Sequence, residues 1–328
     1  MLKLSINNSK LIKQSICWDA HCCPPFKIGS DLSFLNRYKN AGVNFVSVNV
    51  GFDLTNQDET LNLIQYFHEW IQQNDDKYSI VKNVENIFEC QSKNKLAIAF
   101  DIEGCNPLNE TLDMVSQFYD LGVKQMQFAY NRNNSSGGGC LDIDTGLTLF
   151  GKKLIREFNN VGMIIDCSHV GYQTSLEIIE LSEHPVIFSH SNPSKLVNHP
   201  RNITDEQIIA CAKKNGVIGI NGVGIFLGEN DASTKKIVEH IDYIVQLVGP
   251  NHVGIGLDCI FAKDEIKDYV VNNPQIFPDK YGFSDVAVAI PEQFIEIKEL
   301  LIKKAYSTKD IDNILGENFV RIAKTVWK

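Results

Sequence analysis

The chain has 328 residues, 44% hydrophobic and 22% charged, a composition that buries a large core in a globular protein. Its formal net charge of −9, with Lys and Arg scattered rather than clustered among aromatics, argues against a nucleic-acid or anionic-membrane partner. No stretch approaches the roughly 18 consecutive apolar residues of a membrane span.

The opening residues, MLKLSINNSKLIKQSI, are broken by polar side chains every two or three positions and lack the apolar core of a secretory signal. Nine cysteines, an odd number without framework spacing, read as reduced thiols, so a cytoplasmic location is expected. Residues 15–19 predict a short strand that runs into Asp19-Ala20-His21-Cys22-Cys23, where Pro24-Pro25 stops it. Ser30 caps a helix through Tyr38 that ends near Gly42. The β-branched run VNFVSVNV (43–50) predicts the second strand, and a long amphipathic helix follows at about 59–73. LAIAFDI (96–102) is the third strand and closes on Glu103-Gly104; after a helix at about 112–121, the fourth (123–129) closes on Tyr130-Asn131. The loop 132–145 contains Ser135-Ser136-Gly137-Gly138-Gly139. It lacks the trailing Gly-Lys-Ser/Thr of a phosphate cradle and does not open directly onto a helix.

A helix at about 147–158 leads into a distinctive unit. The apolar run 163–166 closes on Ser168-His169, a helix covers 174–181, and a second apolar run, 186–188, closes on Ser189-His190. Strand–helix–strand connectivity makes the two strands parallel, with their C-terminal ends side by side. Two imidazoles then project from neighbouring strand ends, where α/β proteins place their chemistry. Either histidine alone could equally be satisfied by a backbone carbonyl. Thr204 and Gln207 form a capping-box pattern for a helix over 205–214. The seventh strand (217–220) closes on Asn221-Gly222; a helix at about 236–247 precedes the eighth (252–257), which closes on Asp258.

Eight strands, most of them nearly continuous apolar runs, alternate with helices and select an α/β fold of the (β/α)8 TIM-barrel type, in a single domain over 1–328. After the eighth strand, residues 261–289 carry two prolines, five aromatics and weak periodicity, as a long lid or binding loop would. Pro291 starts a helix to about 304, and 308–327 forms a last helical segment broken at Gly316; both are expected to pack outside the barrel.

His21, Cys23, Glu103, Tyr130, His169, His190, Asn221 and Asp258 all fall at C-terminal strand ends, the barrel face on which active sites are built. Three histidines, a thiol and two carboxylates exceed what packing needs there, and buried charge of this kind is paired or coordinates a metal. Imidazole, carboxylate and thiolate together suit zinc or a similar divalent ion.

Several segments carry a resemblance. Asp19-Ala20-His21-Cys22-Cys23-Pro24-Pro25 overlays an Asp-x-His-x-Asp-x-Pro opening with one change. Ile102-Glu103-Gly104, Asp166-Cys167-Ser168-His169, Phe188-Ser189-His190-Ser191, Arg201-Asn202-Ile203-Thr204-Asp205, His252 to Asp258 and Gly316 to Arg321 match further segments in order. Together they resemble the renal (membrane) dipeptidase family, zinc-dependent dipeptidases with an amidohydrolase-type barrel.

The resemblance implies one or two Zn²⁺ ions, one held by His21, residue 23 and Glu103, the other by Glu103, His169 and His190. It implies hydrolysis of small dipeptides by a hydroxide shared between the ions. Asp258 would move the proton to the leaving amine, and Arg201 would clamp the substrate's C-terminal carboxylate. From the residue alone, Arg201 reads as a surface ion pair. Tyr130 and Asn221 complete the implied substrate-binding set.

Cys23 stands where the family carries a metal-binding Asp. Tyr130 stands where it often carries a His facing the developing oxyanion, so the phenol either donates that bond or packs as an aromatic. Three functions follow: a metallo-dipeptidase; a one-metal hydrolase of a non-peptide amide or amino-acid conjugate; or a non-catalytic metal-dependent binding protein. A homodimer is an open option.

Overall fold

The computed structural model describes residues 15–328, and the reading of the first fourteen residues lies outside them. The strands are β1 (Trp18–Cys23), β2 (Phe45–Phe52), β3 (Tyr78–Ile80), β4 (Leu96–Glu103), β5 (Val123–Gln127), β6 (Ile164–Asp166), β7 (Ile187–Phe188), β8 (Val217–Ile220), β9 (Val253–Ile255) and β10 (Cys259–Ile260). All pairings between them are parallel, in the order β10-β1-β2-β4-β5-β6-β7-β8-β9, with β3 alongside the first residues of β4. β9 and β10 are two halves of the eighth strand. Pairing of Cys22 with Cys259 and of Cys23 with Ile260 therefore closes the sheet on itself as a (β/α)8 barrel. Among the described residues, no helix is long and apolar enough to cross a membrane.

Several elements differ from expectation for physical reasons. The first strand runs on through His21 to Cys23. Asp19 and His21 look like strand-end residues, but both are fully buried and bonded within the sheet, Asp19 Oδ1 to Leu257 N (2.9 Å) and His21 Nδ1 to Asp101 Oδ1 (3.0 Å). The eighth strand breaks because Asp258 takes a left-handed backbone (φ 55°). β3 and the helix Val84–Ser92 after it are additional elements, and a three-residue strand is too short to show a period. The segment 261–289 contains a helix, Lys263–Asn272, in which only Val270 is buried, so almost no apolar face marks it in sequence.

The final helix, Asn318–Val326, does not lie outside the barrel. Phe319, Val320, Ala323 and Val326 share one buried cluster with Trp18, Phe45, Ala97, Ile164, Ile187 and Val217, residues at the starts of six strands. The helix therefore plugs the N-terminal mouth, opposite the strand ends that carry the polar residues. A Cβ on Gly254 would lie 2.2 Å from the Phe319 ring, so the plug needs glycine there. The expected break falls at Gly316, where a side chain would meet the Ile16 carbonyl at 2.2 Å.

Away from the strand ends, His240 is buried in the helix Thr234–Val248, with Nε2 3.3 Å from Leu227 O and Nδ1 unpartnered. Burial lowers its pKa to about 4, against 6.5 in the unfolded chain. Its contribution to stability is complete above 6.5 and is lost as pH falls through 4, on the order of 3 kcal/mol in all. Urea midpoints of His240→Gln should consequently fall less between pH 7 and pH 4 than those of the unaltered protein. Parallel declines would mean that His240 ionises normally.

Candidate metal centre

Alternation along the strands aims the polar residues inward. Asp101 and Glu103 lie two apart on β4 and share a face, while Ile102 between them faces the outer core. A register shift between Asp19 and Cys22 on β1 separates Trp18 and Ala20, in the bottom cluster, from His21 and Cys23 at the mouth. The chain leaves three other strands through left-handed non-glycine residues, Asn131 (φ 63°), His169 (φ 64°) and Asp258 (φ 55°). Such backbone costs on the order of 1 kcal/mol or more per residue and clusters at functional sites.

The structure brings six of the expected residues together. Glu103 Oε1 lies 2.9 Å from His169 Nε2, 3.3 Å from His190 Nε2 and 3.6 Å from His21 Nε2. Cys23 Sγ is 3.6 Å from His21 Nε2 and donates to Asp258 Oδ1 at 3.3 Å. Two sets of donors converge within 4.8 Å: His21, Glu103 and His190, and His21, Cys23 and Asp258.

Residues to which the sequence reading gave no orienting role fix the imidazoles. His21 Nδ1 faces Asp101 Oδ1, and Asp101 is itself held by Ser47 Oγ (2.7 Å) and Asn49 Nδ2 (3.1 Å). His169 Nδ1 faces Asn131 Oδ1 at 2.8 Å. His190 Nδ1 lies 2.6 Å from Ser189 Oγ, which donates its own proton to Asp166. Asn131 Oδ1 can only accept, and Ser189 has given its proton away. Both rings must carry their proton on Nδ1, leaving lone pairs on the two Nε2 atoms, which face each other at 3.0 Å. Two lone pairs that close repel unless a proton or a cation lies between them, and imidazoles anchored through Nδ1 are oriented as metal ligands are.

The electrostatics agree. Burial, then Arg201 and His21, holds His190 and His169 well below the usual imidazole range, so both are neutral. Burial, with Asp258 and Asp101 nearby, pushes Glu103 up to about 8 despite the pull of His21 and Arg201. Burial opposes charging of His21, but Asp101 and Glu103 outweigh it and raise its pKa. Burial, then Asp258 and Glu103, raises the Cys23 thiol. The cluster is short of positive charge, which a divalent ion would supply.

The remaining expected residues line its edge. Asn221 donates to Asp258 Oδ2 at 2.9 Å, and its Oδ1 accepts from Val223 N at 2.6 Å, so both ends of its amide are engaged. Tyr130 packs at a tilt of 31° against His169, with ring centroids 4.3 Å apart, and touches Phe52 and Phe277 edge-on. Arg201 is not the surface ion pair that the residue alone suggests. It is 2% exposed, donates from Nη2 to His190 O at 3.1 Å, lies 5.4 Å from the Phe226 ring, and has no partner at Nε. The only sequence signal for its burial was the segment resemblance.

A family model described as membrane dipeptidase (peptidase family M19) matches residues 9–271. An uncharacterized dipeptidase of Schizosaccharomyces pombe is 29% identical over 239 residues, 71% of this chain and 54% of that one. The chain thus spans about half the length of the curated relatives it matches first. An amidohydrolase from Pseudomonas aeruginosa shares the fold with a TM-score of 0.86 at 27% identity, over 95% of this chain and 97% of that one. A metallo peptidase from Rhodobacter sphaeroides, liganded with a phosphinate mimic of the dipeptide L-Ala-D-Ala, has a TM-score of 0.77 at 16% identity, over 96% of this chain and 100% of that one. The family model runs from before β1 to beyond the broken eighth strand, and so takes in every strand end that carries the cluster; the chain belongs to the membrane dipeptidase family.

Proposed function

We propose that the chain is a metal-dependent dipeptidase with zinc as its resident ion. The observation that carries this reading is the single carboxylate oxygen Glu103 Oε1, set 2.9 to 3.6 Å from three imidazole Nε2 atoms. Glu103, His169 and His190 would hold one ion, and His21, Cys23 and Glu103 the other. Ions held there would acidify a water molecule and polarise the scissile carbonyl.

The chain's own groups do the rest. Asp258, fixed by Asn221, accepts a proton at Oδ1 and returns it to the leaving amine. Tyr130, whose phenol is raised by burial and then by Glu103, stays protonated and can donate to a developing oxyanion. Arg201, with an unpartnered buried Nε, receives the substrate's C-terminal carboxylate. Nine free cysteines support a cytoplasmic location.

A dipeptide hydrolysis screen with and without chelator, alongside metal analysis, tests the reading. Chelator-sensitive turnover is the expected result. Turnover only of non-peptide conjugates would replace the substrate, and ligand binding without any turnover would replace the enzyme by a binding protein. Arg201→Met should raise KM for a dipeptide on the order of 100-fold, the loss of a charged hydrogen-bonded pair worth about 3 kcal/mol. The same variant should leave KM for the C-terminal amide of that dipeptide nearly unchanged. Equal effects on both substrates would remove Arg201 from carboxylate binding.

A further inference from the structure

We propose that Cys23 makes the first ion position a thiolate site, one that takes thiophilic divalent ions such as zinc, cobalt and cadmium and discriminates against manganese and magnesium. The inference rests on reading these strand ends as a metal centre, and it concerns which ion that centre takes.

The geometry fits a sulfur ligand. With zinc bonds of about 2.3 Å to sulfur, 2.05 Å to nitrogen and 2.1 Å to oxygen, donors on a tetrahedral ion lie about 3.4 to 3.6 Å apart. Cys23 Sγ and Glu103 Oε1 each lie 3.6 Å from His21 Nε2. His21 Nε2 is common to both donor groups, Cys23 and Asp258 on one side and Glu103 and His190 on the other, so an ion at Nε2 has the sulfur within reach. His21 is already oriented by Asp101 through Nδ1, so Nε2 faces the ion position and releases its proton to solvent when an ion binds. The side chain is a free thiol, and its proton points at Asp258 Oδ1.

Ion binding would break the S–H bond and form the sulfur–metal bond. The proton passes to the Asp258 carboxylate and on to solvent, with no change of oxidation state. Asp258 loses its thiol donor in that step, which frees Oδ1 for the proton of the nucleophilic water.

The chemical consequence is selectivity. A carboxylate offers two hard oxygens and suits manganese and magnesium as well as zinc. A thiolate offers one soft, polarizable atom and favours zinc, cobalt and cadmium. The substitution of sulfur for oxygen at position 23 therefore narrows the range of ions without removing a ligand.

Cobalt substitution reads this directly. The full chain loaded with Co²⁺ should show a near-ultraviolet sulfur-to-cobalt charge-transfer band together with visible d–d bands. Both Cys23→Ser and Cys23→Asp should lose the charge-transfer band while keeping visible bands from the position held by His169 and His190. In parallel, electron paramagnetic resonance of added Mn²⁺ should show uptake at the first position by Cys23→Asp and none by the unaltered chain. Visible bands without charge transfer in the unaltered chain would overturn the inference while leaving the metal centre standing. A band that survives both substitutions, or equal Mn²⁺ uptake by Cys23→Asp and the unaltered chain, would also overturn it. Failure of Co²⁺ and Zn²⁺ to bind at all would remove the metal centre itself, and the inference with it.

Discussion

Asp258→Asn should lower dipeptide turnover on the order of a thousandfold while leaving metal content at the level of the unaltered protein. The factor is the contribution of a positioned proton-transfer group. Asparagine is the right probe because it keeps the size of Asp258 and its contact with Asn221 while removing the charge and the basicity. Its amide oxygen can still accept from Asn221 Nδ2, as the carboxylate does at 2.9 Å. Asn also tolerates the left-handed backbone at φ 55°, which an alanine would adopt only with strain. The break between β9 and β10, and the bond from Asp258 N to His21 O at 3.1 Å, should survive. Turnover and metal stoichiometry measured on the same preparation separate the roles. Loss of metal together with activity would make Asp258 a ligand, and unchanged turnover would move the proton transfer elsewhere.

The barrel and the residues of its mouth were legible in the sequence because each strand is an apolar run ended by a polar residue. That pattern gave His169, His190, Glu103 and Asp258 without any knowledge of pairing. What was not legible depends on register between strands distant in sequence. Asp101 is recognisable as the partner of His21 only once β1, β2 and β4 lie side by side, with Ser47 and Asn49 closing on the same carboxylate. Asn131 and Ser189 likewise look like ordinary strand-end polar residues until their contacts fix the tautomers of His169 and His190. The final helix misled in the opposite direction. Its amphipathic pattern is that of an outer helix, and only its contacts show that the apolar face fills the N-terminal mouth. Arg201 is a third kind of case, a charged side chain whose burial under Phe226 no local pattern announces.

Glu103→Gln should make the metal-free protein more stable and at the same time abolish its stabilisation by zinc. In the metal-free chain, burial and the carboxylates of Asp258 and Asp101 push Glu103 up to about 8, against 4.5 when unfolded. A raised folded-state pKa means the fold retains a proton that the unfolded chain releases. The associated stability is fully present below 4.5 and is lost as pH rises through 8, on the order of 3 kcal/mol by neutral pH and somewhat more above it. Glutamine cannot ionise and escapes that loss. The melting temperature of chelated Glu103→Gln should therefore exceed that of the chelated parent, by a margin that widens from pH 5 to pH 8. Zinc reverses the order, because an ion that binds only the folded state stabilises it in proportion to the logarithm of its concentration over Kd. A neutral amide gives up the one negative oxygen that lies within 3.6 Å of all three imidazoles, so the variant should show no zinc-dependent shift. A chelated variant less stable than its parent at pH 8 would mean that Glu103 is no uncompensated anion. A retained zinc shift would mean that the ions are held without it. The same carboxylate is thus expected to weaken the empty fold and to stabilise the loaded one, the signature of a residue kept for its ligand rather than for its packing.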